Sequence, residues 1–99
     1  MELNLKKPLV ILDLETTGVS IASDRIVEFS ALKVTPGGAE EWLTLRINPG
    51  IPISPEATRI HGITDADVAN EFHFKDVARE IAAFLEGCDL AGFNSMKFG

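Results

Sequence analysis

The stretch LVILDLETTG, residues 9–18, decides how this chain folds and which chemistry it can carry. Four apolar residues lead into Asp13 and Glu15, and a Thr-Thr-Gly turn follows. In a β-strand, residues two apart point to the same face and lie roughly 6.5 Å apart, because each residue adds about 3.3 Å. Two carboxylates held together at the end of a buried strand repel each other unless a divalent cation lies between them. The stretch therefore predicts a central strand over residues 9–15 that carries half of a metal site, with Asp13 and Glu15 as ligands.

Two further strands are predicted, over residues 25–34 and 40–47. Apolar residues recur along both segments, and in the second Leu43, Leu45 and Ile47 alternate with other side chains. A Pro-Gly-Gly turn at residues 36–38 separates the two segments. Three strands joined by short connections favour an antiparallel meander.

Helix signals dominate the second half of the chain. Residues 54–56 supply a serine N-cap, a proline and an early acid, which predict a short helix. Thr64 and Asp67 form a second capping pattern. The segment 74–86 predicts the one long helix, which ends before Gly87 and whose apolar face consists of Val77, Ile81, Phe84 and Leu85.

The short apolar segment 89–93 follows the long helix and predicts a fourth strand. A strand reached through a helical crossover lies parallel to the strand it pairs with, here the first. The predicted fold class is therefore α/β, with a mixed sheet of three antiparallel strands, a crossover helix and a fourth strand parallel to the first. This order matches the first half of a ribonuclease-H-like fold.

Composition narrows the class of protein. Ninety-nine residues allow one small domain, and a 45% hydrophobic content is typical of a globular chain. The net charge of −6 argues against a basic nucleic-acid clamp, but not against a phosphodiester enzyme whose metal ions supply positive charge. The single cysteine, Cys88, excludes an internal disulfide. With no signal peptide or membrane span in the pattern, we expect a cytoplasmic protein that does not associate with membranes.

Three segments closely resemble the DEDD superfamily of DnaQ-like 3′–5′ exonucleases, which includes the proofreading epsilon subunit of bacterial DNA polymerase III. Residues 12–18 (LDLETTG) resemble its first motif, residues 54–64 (SPEATRIHGIT) the loop before its crossover helix, and residues 91–98 (AGFNSMKF) the start of its second motif. The resemblance covers essentially the whole chain. It implies that residues 1–99 are the N-terminal part of a single ribonuclease-H-like exonuclease domain, truncated at the C-terminus.

The chain departs from the family pattern at its end. Gly99 stands where the family places its third acid, and the last motif, with a His or Tyr and the fourth acid, has no counterpart. The sequence leaves open a natural truncation, an excised piece and a degenerate relative. Because half of the ligands implied by the resemblance are missing, we expect little nuclease activity from these residues alone.

The resemblance also implies roles for individual residues. Asp13 would bridge two ions, Mg²⁺ or Mn²⁺, and Glu15 would bind the one that activates water; both would be catalytic. The remaining candidates would contact the terminal nucleotide of the substrate: Thr16, Thr17, Gly18, Ile60, His61 and Asn94.

The function implied is metal-dependent hydrolysis of terminal phosphodiesters from the 3′ end, with DNA favoured over RNA and a DNA polymerase as a possible partner. A ribonuclease of the same superfamily and a non-catalytic module that binds nucleic acid or a polymerase remain open. One long helix covers one face of a sheet at best, so we also expect self-association through the uncovered face.

Overall fold

The computed structural model describes residues 5–18, 20 and 23–93, with side chains described as far as residue 90. Its elements, in chain order, are β1 (Leu9–Thr16), β2 (Ile26–Val34), β3 (Glu40–Arg46), α1 (Pro55–His61), α2 (Asp65–Val68), α3 (Phe74–Leu85) and β4 (Asp89–Phe93). All four predicted strands and all three helix starts are confirmed, with boundaries that differ by at most one residue. No described helix is long and apolar enough to cross a membrane.

The four strands form one mixed sheet in the order β3-β2-β1-β4. β1 is central: it pairs antiparallel with β2 and parallel with β4, while β2 pairs antiparallel with β3. The predicted ribonuclease-H-like arrangement is therefore confirmed. The carboxylates Asp13 and Glu15 therefore lie on a strand that is flanked by β2 on one side and β4 on the other.

Alternation along β1 divides the sheet into two unlike faces. Val10 and Leu12 are buried and belong to the main hydrophobic core, together with Val77 and Ile81 of α3. Side chains of a strand point alternately to opposite faces, so Asp13 and Glu15 lie on the face away from α3. The burial of each such aliphatic side chain contributes about 1.5–3 kcal/mol, and this attraction fixes which face turns towards the helix.

The helix caps follow the predicted signals. The Ser54 hydroxyl accepts a hydrogen bond from the Ala57 amide at 3.0 Å and begins α1. Thr64 and Asp67 form a complete capping box at α2, and the hydrogen bonds from Thr64 lower the pKa of the Asp67 carboxyl. Gly87, just beyond α3, has a φ of 73°, a conformation that a glycine adopts without strain.

A β-bulge interrupts the pairing of β1 with β2 beside the two carboxylates. Glu15 is opposite Glu28, but the next residue, Thr16, is opposite Ile26, so Val27 is inserted between them. The extra residue shifts the alternation of β2. As a result, Ile26 packs against the core beneath α3, whereas Val27 is fully buried in a second cluster whose other members are Ile53, Ala57, Ile63 and Val68.

The face of the sheet away from α3 is only partly covered. Ile11 is opposite Leu32, and Leu32 is opposite Trp42, so the three side chains form a row across β1, β2 and β3. Ile11 and Leu32 are half-buried, and Trp42 is 67% exposed. This row, called the Trp42 row below, lies on the same face as Asp13 and Glu15.

Candidate active site

Asp13 is the residue of the site with the most unusual environment. It is the first acid of the pair on β1, and it is half-buried. Its Oδ1 atom is enclosed by protein and has no hydrogen-bond partner among the described residues. A buried carboxylate oxygen left without a partner is costly, by about 1–3 kcal/mol or more for a charged group. A cation beside Oδ1 would compensate this cost, so the donor fits a metal ligand.

Glu15 follows two residues later on the same face, as predicted. It is half-buried and lies directly across from Glu28 in the register of β1 and β2. Like charges opposite each other in a sheet destabilise it. Arg46 of β3 reduces this repulsion, because its Nε donates a hydrogen bond to Glu28 Oε2 at 3.3 Å.

Glu28 of β2 is a charged neighbour of the site, directly opposite Glu15. The structure shows the Arg46 ion pair, with the Glu28 side chain 26% exposed. The register of the sheet explains this pairing, because Glu28 lies opposite Glu15 of β1 on one side and opposite Arg46 of β3 on the other.

His61 joins the end of α1 to the end of β1. Its Nδ1 accepts a hydrogen bond from the Ile63 amide at 3.1 Å, so Nε2 carries the proton in this tautomer. Nε2 then donates to the Thr16 carbonyl oxygen at 2.9 Å. The imidazole is thereby held over the last residue of the strand that carries the two acids. Its predicted contact with a terminal nucleotide stays a prediction, but its position beside the site is fixed.

Thr17 ties the first loop together from a fully buried position. Its side chain is 1% exposed, and its hydroxyl donates to Asp24 Oδ1 at 2.6 Å while accepting from the Arg25 amide at 3.0 Å. Its own amide donates to the Arg25 carbonyl, and its carbonyl accepts from the Ser54 amide. These bonds connect β1, the start of β2 and the N-cap of α1. The Thr17 hydroxyl is thus occupied within the protein.

Gly18 leaves room for a carboxylate. A Cβ atom at this position would lie 2.6 Å from Asp24 Oδ2, closer than Cβ contacts allow. Asp24 itself accepts hydrogen bonds at both oxygens, from Thr17 and from the Ser20 amide at 2.7 Å. Asp24 gives no signal in the sequence, because a lone acid before a strand acquires its partners only when the loop folds. A larger residue at position 18 would displace the Asp24 carboxylate from its hydrogen bonds with Thr17 and Ser20.

The other predicted contacts lie around the same end of β1. The Thr16 hydroxyl donates to the Gly18 carbonyl at 2.6 Å, which closes the turn after the strand. Ile60, next to His61 in the last turn of α1, is 59% exposed and offers an apolar surface. Asn94 lies outside the described residues.

The donor set of the site is two carboxylates. Among residues 5–18, 20 and 23–93, no group of three or more His, Cys, Asp or Glu side chains comes together as a metal-binding cluster. Mg²⁺ and similar hard ions bind oxygen ligands and often keep several waters, with only one or two protein carboxylates. Asp13 and Glu15 therefore fit such an ion, while a site with more protein ligands needs donors from elsewhere.

Comparison with known proteins places these features in a family context. Residues 10–98 match the RNase_T family model, described as Exonuclease. The chain is 37% identical over 93 residues to the DNA polymerase III subunit epsilon-like protein of Rhodobacter capsulatus, covering 91% of this chain and 13% of the relative. It is 34% identical over 85 residues to the PolC-type DNA polymerase III of Pediococcus pentosaceus, covering 86% of this chain and 6% of the relative.

Solved structures of exonucleases share the fold of this chain. Exonuclease X in complex with 5′ overhanging duplex DNA is 30% identical, with a TM-score of 0.65 over 86% of this chain and 57% of that chain. Exonuclease I without ligand is 22% identical, with a TM-score of 0.79 over 95% of this chain and 23% of that chain. The chain thus spans only a small part of the curated relatives it matches.

Proposed function

The chain belongs to the RNase_T exonuclease family, and from that membership we propose that it supplies the N-terminal part of a single 3′–5′ exonuclease domain that hydrolyses terminal phosphodiesters of nucleic acid. The observation that carries the proposal is the buried, unpartnered Asp13 Oδ1 with Glu15 two residues away on the same face. If Asp13 and Glu15 were an ordinary solvated pair on the surface, the Asp13 Oδ1 atom would be in contact with water and not enclosed by protein.

Divalent metal ions are general cofactors of this family. We propose Mg²⁺ or Mn²⁺ for this chain, held by Asp13 and Glu15, with two ions in a complete site. When bound, such ions lower the pKa of a coordinated water and stabilise the charge that develops on the leaving 3′ oxygen.

The remaining residues of the site position the substrate. His61 and Ile60 border the end of β1, where the exposed Ile60 side chain is suited to contact with a base and the His61 ring is held by Thr16. Thr16, Thr17 and Gly18 contribute the shape of the turn beside the terminal sugar, since their backbone geometry is fixed by Asp24 and Arg25. Asn94 is proposed as a further contact.

Single-stranded DNA is the substrate we favour. The support for DNA over RNA is that relatives are DNA polymerase III proteins and that exonuclease X forms a complex with 5′ overhanging duplex DNA. A DNA polymerase is the partner that the same relatives suggest. This role and the bacterial relatives favour the cytoplasm as the compartment.

Two carboxylates are fewer than a two-metal site uses, so we propose that these 99 residues alone cleave slowly. The same observation favours a second candidate, a non-catalytic module that binds nucleic acid or a polymerase. A ribonuclease of the same superfamily is the third.

One experiment separates the three. The purified chain is titrated with Mn²⁺ while the NMR signals of residues 13–16 are followed, and it is then incubated with a 5′-labelled DNA oligomer and an RNA oligomer of the same sequence. We expect broadening centred on Asp13 and slow shortening of DNA from the 3′ end. Asp13→Asn should abolish both effects, whereas Glu80→Gln, which removes a charge from the exposed surface of α3, should change neither.

The outcomes decide between the candidates. Broadening without cleavage of either oligomer, even at high protein concentration, favours the binding module. Preferential shortening of RNA favours the ribonuclease. Cleavage that survives Asp13→Asn would falsify the proposed site.

A further inference from the structure

A cavity of about 640 Å³ lies between the start of β2, the end of β3 and the first turn of α3. Ile26 and Ile47 form part of its wall, and both pack with the core beneath α3. Asp13 and Glu15 lie on the other face of the sheet, so this cavity is separate from the candidate metal site. Its volume is within the range of pockets that hold small molecules, roughly 300–1,000 Å³.

Two basic side chains, one histidine and the Asp24 carboxylate line the cavity, in a chain whose net charge is −6. Arg25, His73 and Lys75 all contribute to its wall. Arg25 is held in place because its Nη1 donates to the Pro49 carbonyl oxygen at 3.0 Å. A Cβ atom built on Gly50 would lie 3.3 Å from Arg25 Nη1 and 4.0 Å from His73 Cδ2, so the guanidinium and the imidazole converge on one point beside this glycine.

The Asp24 carboxylate lines the cavity, the Asp76 carboxylate lies beside the lining residue His73, and both already accept hydrogen bonds. Asp24 accepts hydrogen bonds at both oxygens, from Thr17 and Ser20. Asp76 accepts from the His73 amide at 3.1 Å and lies 4.0 Å from the His73 ring. In contrast, Lys75 is exposed and has no partner among the described residues. Lys75 therefore contributes a positive charge with no described partner, while Asp24 keeps its negative charge in the same lining.

The apolar part of the wall is suited to a flat ring. Phe74 lines the cavity and is 46% exposed, although it begins a helix whose other large apolar residues pack inward. Nucleic-acid bases stack on exposed aromatic rings in this way, and each such contact is worth about 1–3 kcal/mol. Arg and Lys beside the ring provide charge-assisted hydrogen bonds to a phosphate.

From this combination we infer that the cavity is a second site, which binds a nucleoside monophosphate with its base on Phe74 and its phosphate between Arg25 and Lys75. The ligand is either a free mononucleotide or the phosphorylated end of a strand, since both present the same groups. The choice of a nucleotide as the ligand rests on the proposed function. That the ligand combines a flat ring with an anionic group rests only on the residues that line the cavity.

The test measures binding of deoxyadenosine monophosphate to the 99-residue chain by calorimetry and by NMR. It is carried out in EDTA and in the Asp13→Asn background, so that the metal site makes no contribution. We expect shifts of the amide signals of Arg25, His73 and Lys75. Inorganic phosphate and unphosphorylated deoxyadenosine should each bind at least about tenfold more weakly, because each makes half of the contacts.

Variants locate the site. Lys75→Gln and Phe74→Ala should each weaken binding by about fivefold to tenfold, and Arg25→Gln combined with Lys75→Gln by more. Arg79→Gln is the matched control: it removes the same charge one turn along α3 from an exposed position outside the cavity, and it should change affinity less than about twofold. Since Arg25 also holds Pro49, the single variants at Lys75 and Phe74 decide the result if the double variant unfolds.

A 5′-phosphorylated tetranucleotide distinguishes the two sources of ligand. If it displaces the mononucleotide, the site accepts strand ends; if it does not, the site takes free nucleotide. Binding that is unchanged in Lys75→Gln and Phe74→Ala, or shifts confined to residues around Asp13, would overturn the inference. Absence of nuclease activity, with this binding intact, would count against the proposed function and not against the cavity.

Discussion

The two faces of the central strand β1 differ in polarity: one is apolar, and the other carries the two carboxylates. On the face towards α3, Val10 and Leu12 are buried in one hydrophobic cluster with Val77 and Ile81. On the other face, two carboxylates and the Trp42 row stand side by side, and one carboxylate oxygen is buried without a partner. Apolar packing on the first face stabilises the fold. The carboxylates on the second face do not contribute such packing, and the unpartnered Asp13 oxygen costs free energy of folding. Substitutions on the two faces should therefore have unlike effects.

The largest effect on stability is expected on the α3 face. Ile81 is 7% exposed and packs in the main core. Ile81→Ala should lower the free energy of unfolding by about 2–5 kcal/mol, because it removes buried methylenes and leaves a cavity. Urea unfolding followed by circular dichroism measures this loss. A loss below 1 kcal/mol would mean that α3 does not hold the sheet as described.

The next largest effect on stability is expected at Thr17, in the loop that follows β1. Thr17→Val keeps the shape of the side chain but removes the hydroxyl bonded to Asp24 and the Arg25 amide. We expect a loss of about 1–3 kcal/mol, because the part-buried hydrogen bonds of the Asp24 carboxylate and the Arg25 amide are both lost. Thr16→Val is the control, since its hydroxyl makes one local bond within the turn. Equal losses in the two variants would contradict the central role of Thr17.

The acid face should respond with the opposite sign. Asp13→Asn removes the charge from a carboxyl whose Oδ1 has no partner. Without added metal, the variant should be as stable as the parent or more stable by up to about 1 kcal/mol. With millimolar Mn²⁺ the parent should gain stability and the variant should not, since only the parent binds the ion. Paired melting curves with and without Mn²⁺ check both statements.

The smallest effect on stability is expected at Trp42. Trp42→Ser should change the free energy of unfolding by no more than about 0.5 kcal/mol, because the side chain is 67% exposed. If the chain self-associates through the Trp42 row, as we expect, the variant should sediment as a smaller species than the parent. Trp fluorescence of the parent should also shift to shorter wavelength with rising concentration. Identical sedimentation of parent and variant would place any self-association elsewhere.

Much of the fold could be predicted from local signals. Strand alternation located β1 to within one residue, and the capping residues Ser54 and Thr64 located α1 and α2. Such patterns succeed because neighbours in sequence decide them: a strand alternates, and a cap bonds an amide three residues away. The resemblance to the exonucleases also needed only ordered motifs, and the family match over residues 10–98 confirms it.

That Asp13 and Glu15 share one face of β1 follows from the sequence alone, because side chains two residues apart in any strand point the same way. The enclosure of Asp13 Oδ1, the Arg46–Glu28 ion pair and the hydrogen bond from Thr17 to Asp24 arise only when the chain folds. The same is true of the bulge at Val27, which reassigns Ile26 and Val27 to different cores. These features depend on register and on contacts between residues distant in the chain, and no local pattern specifies them.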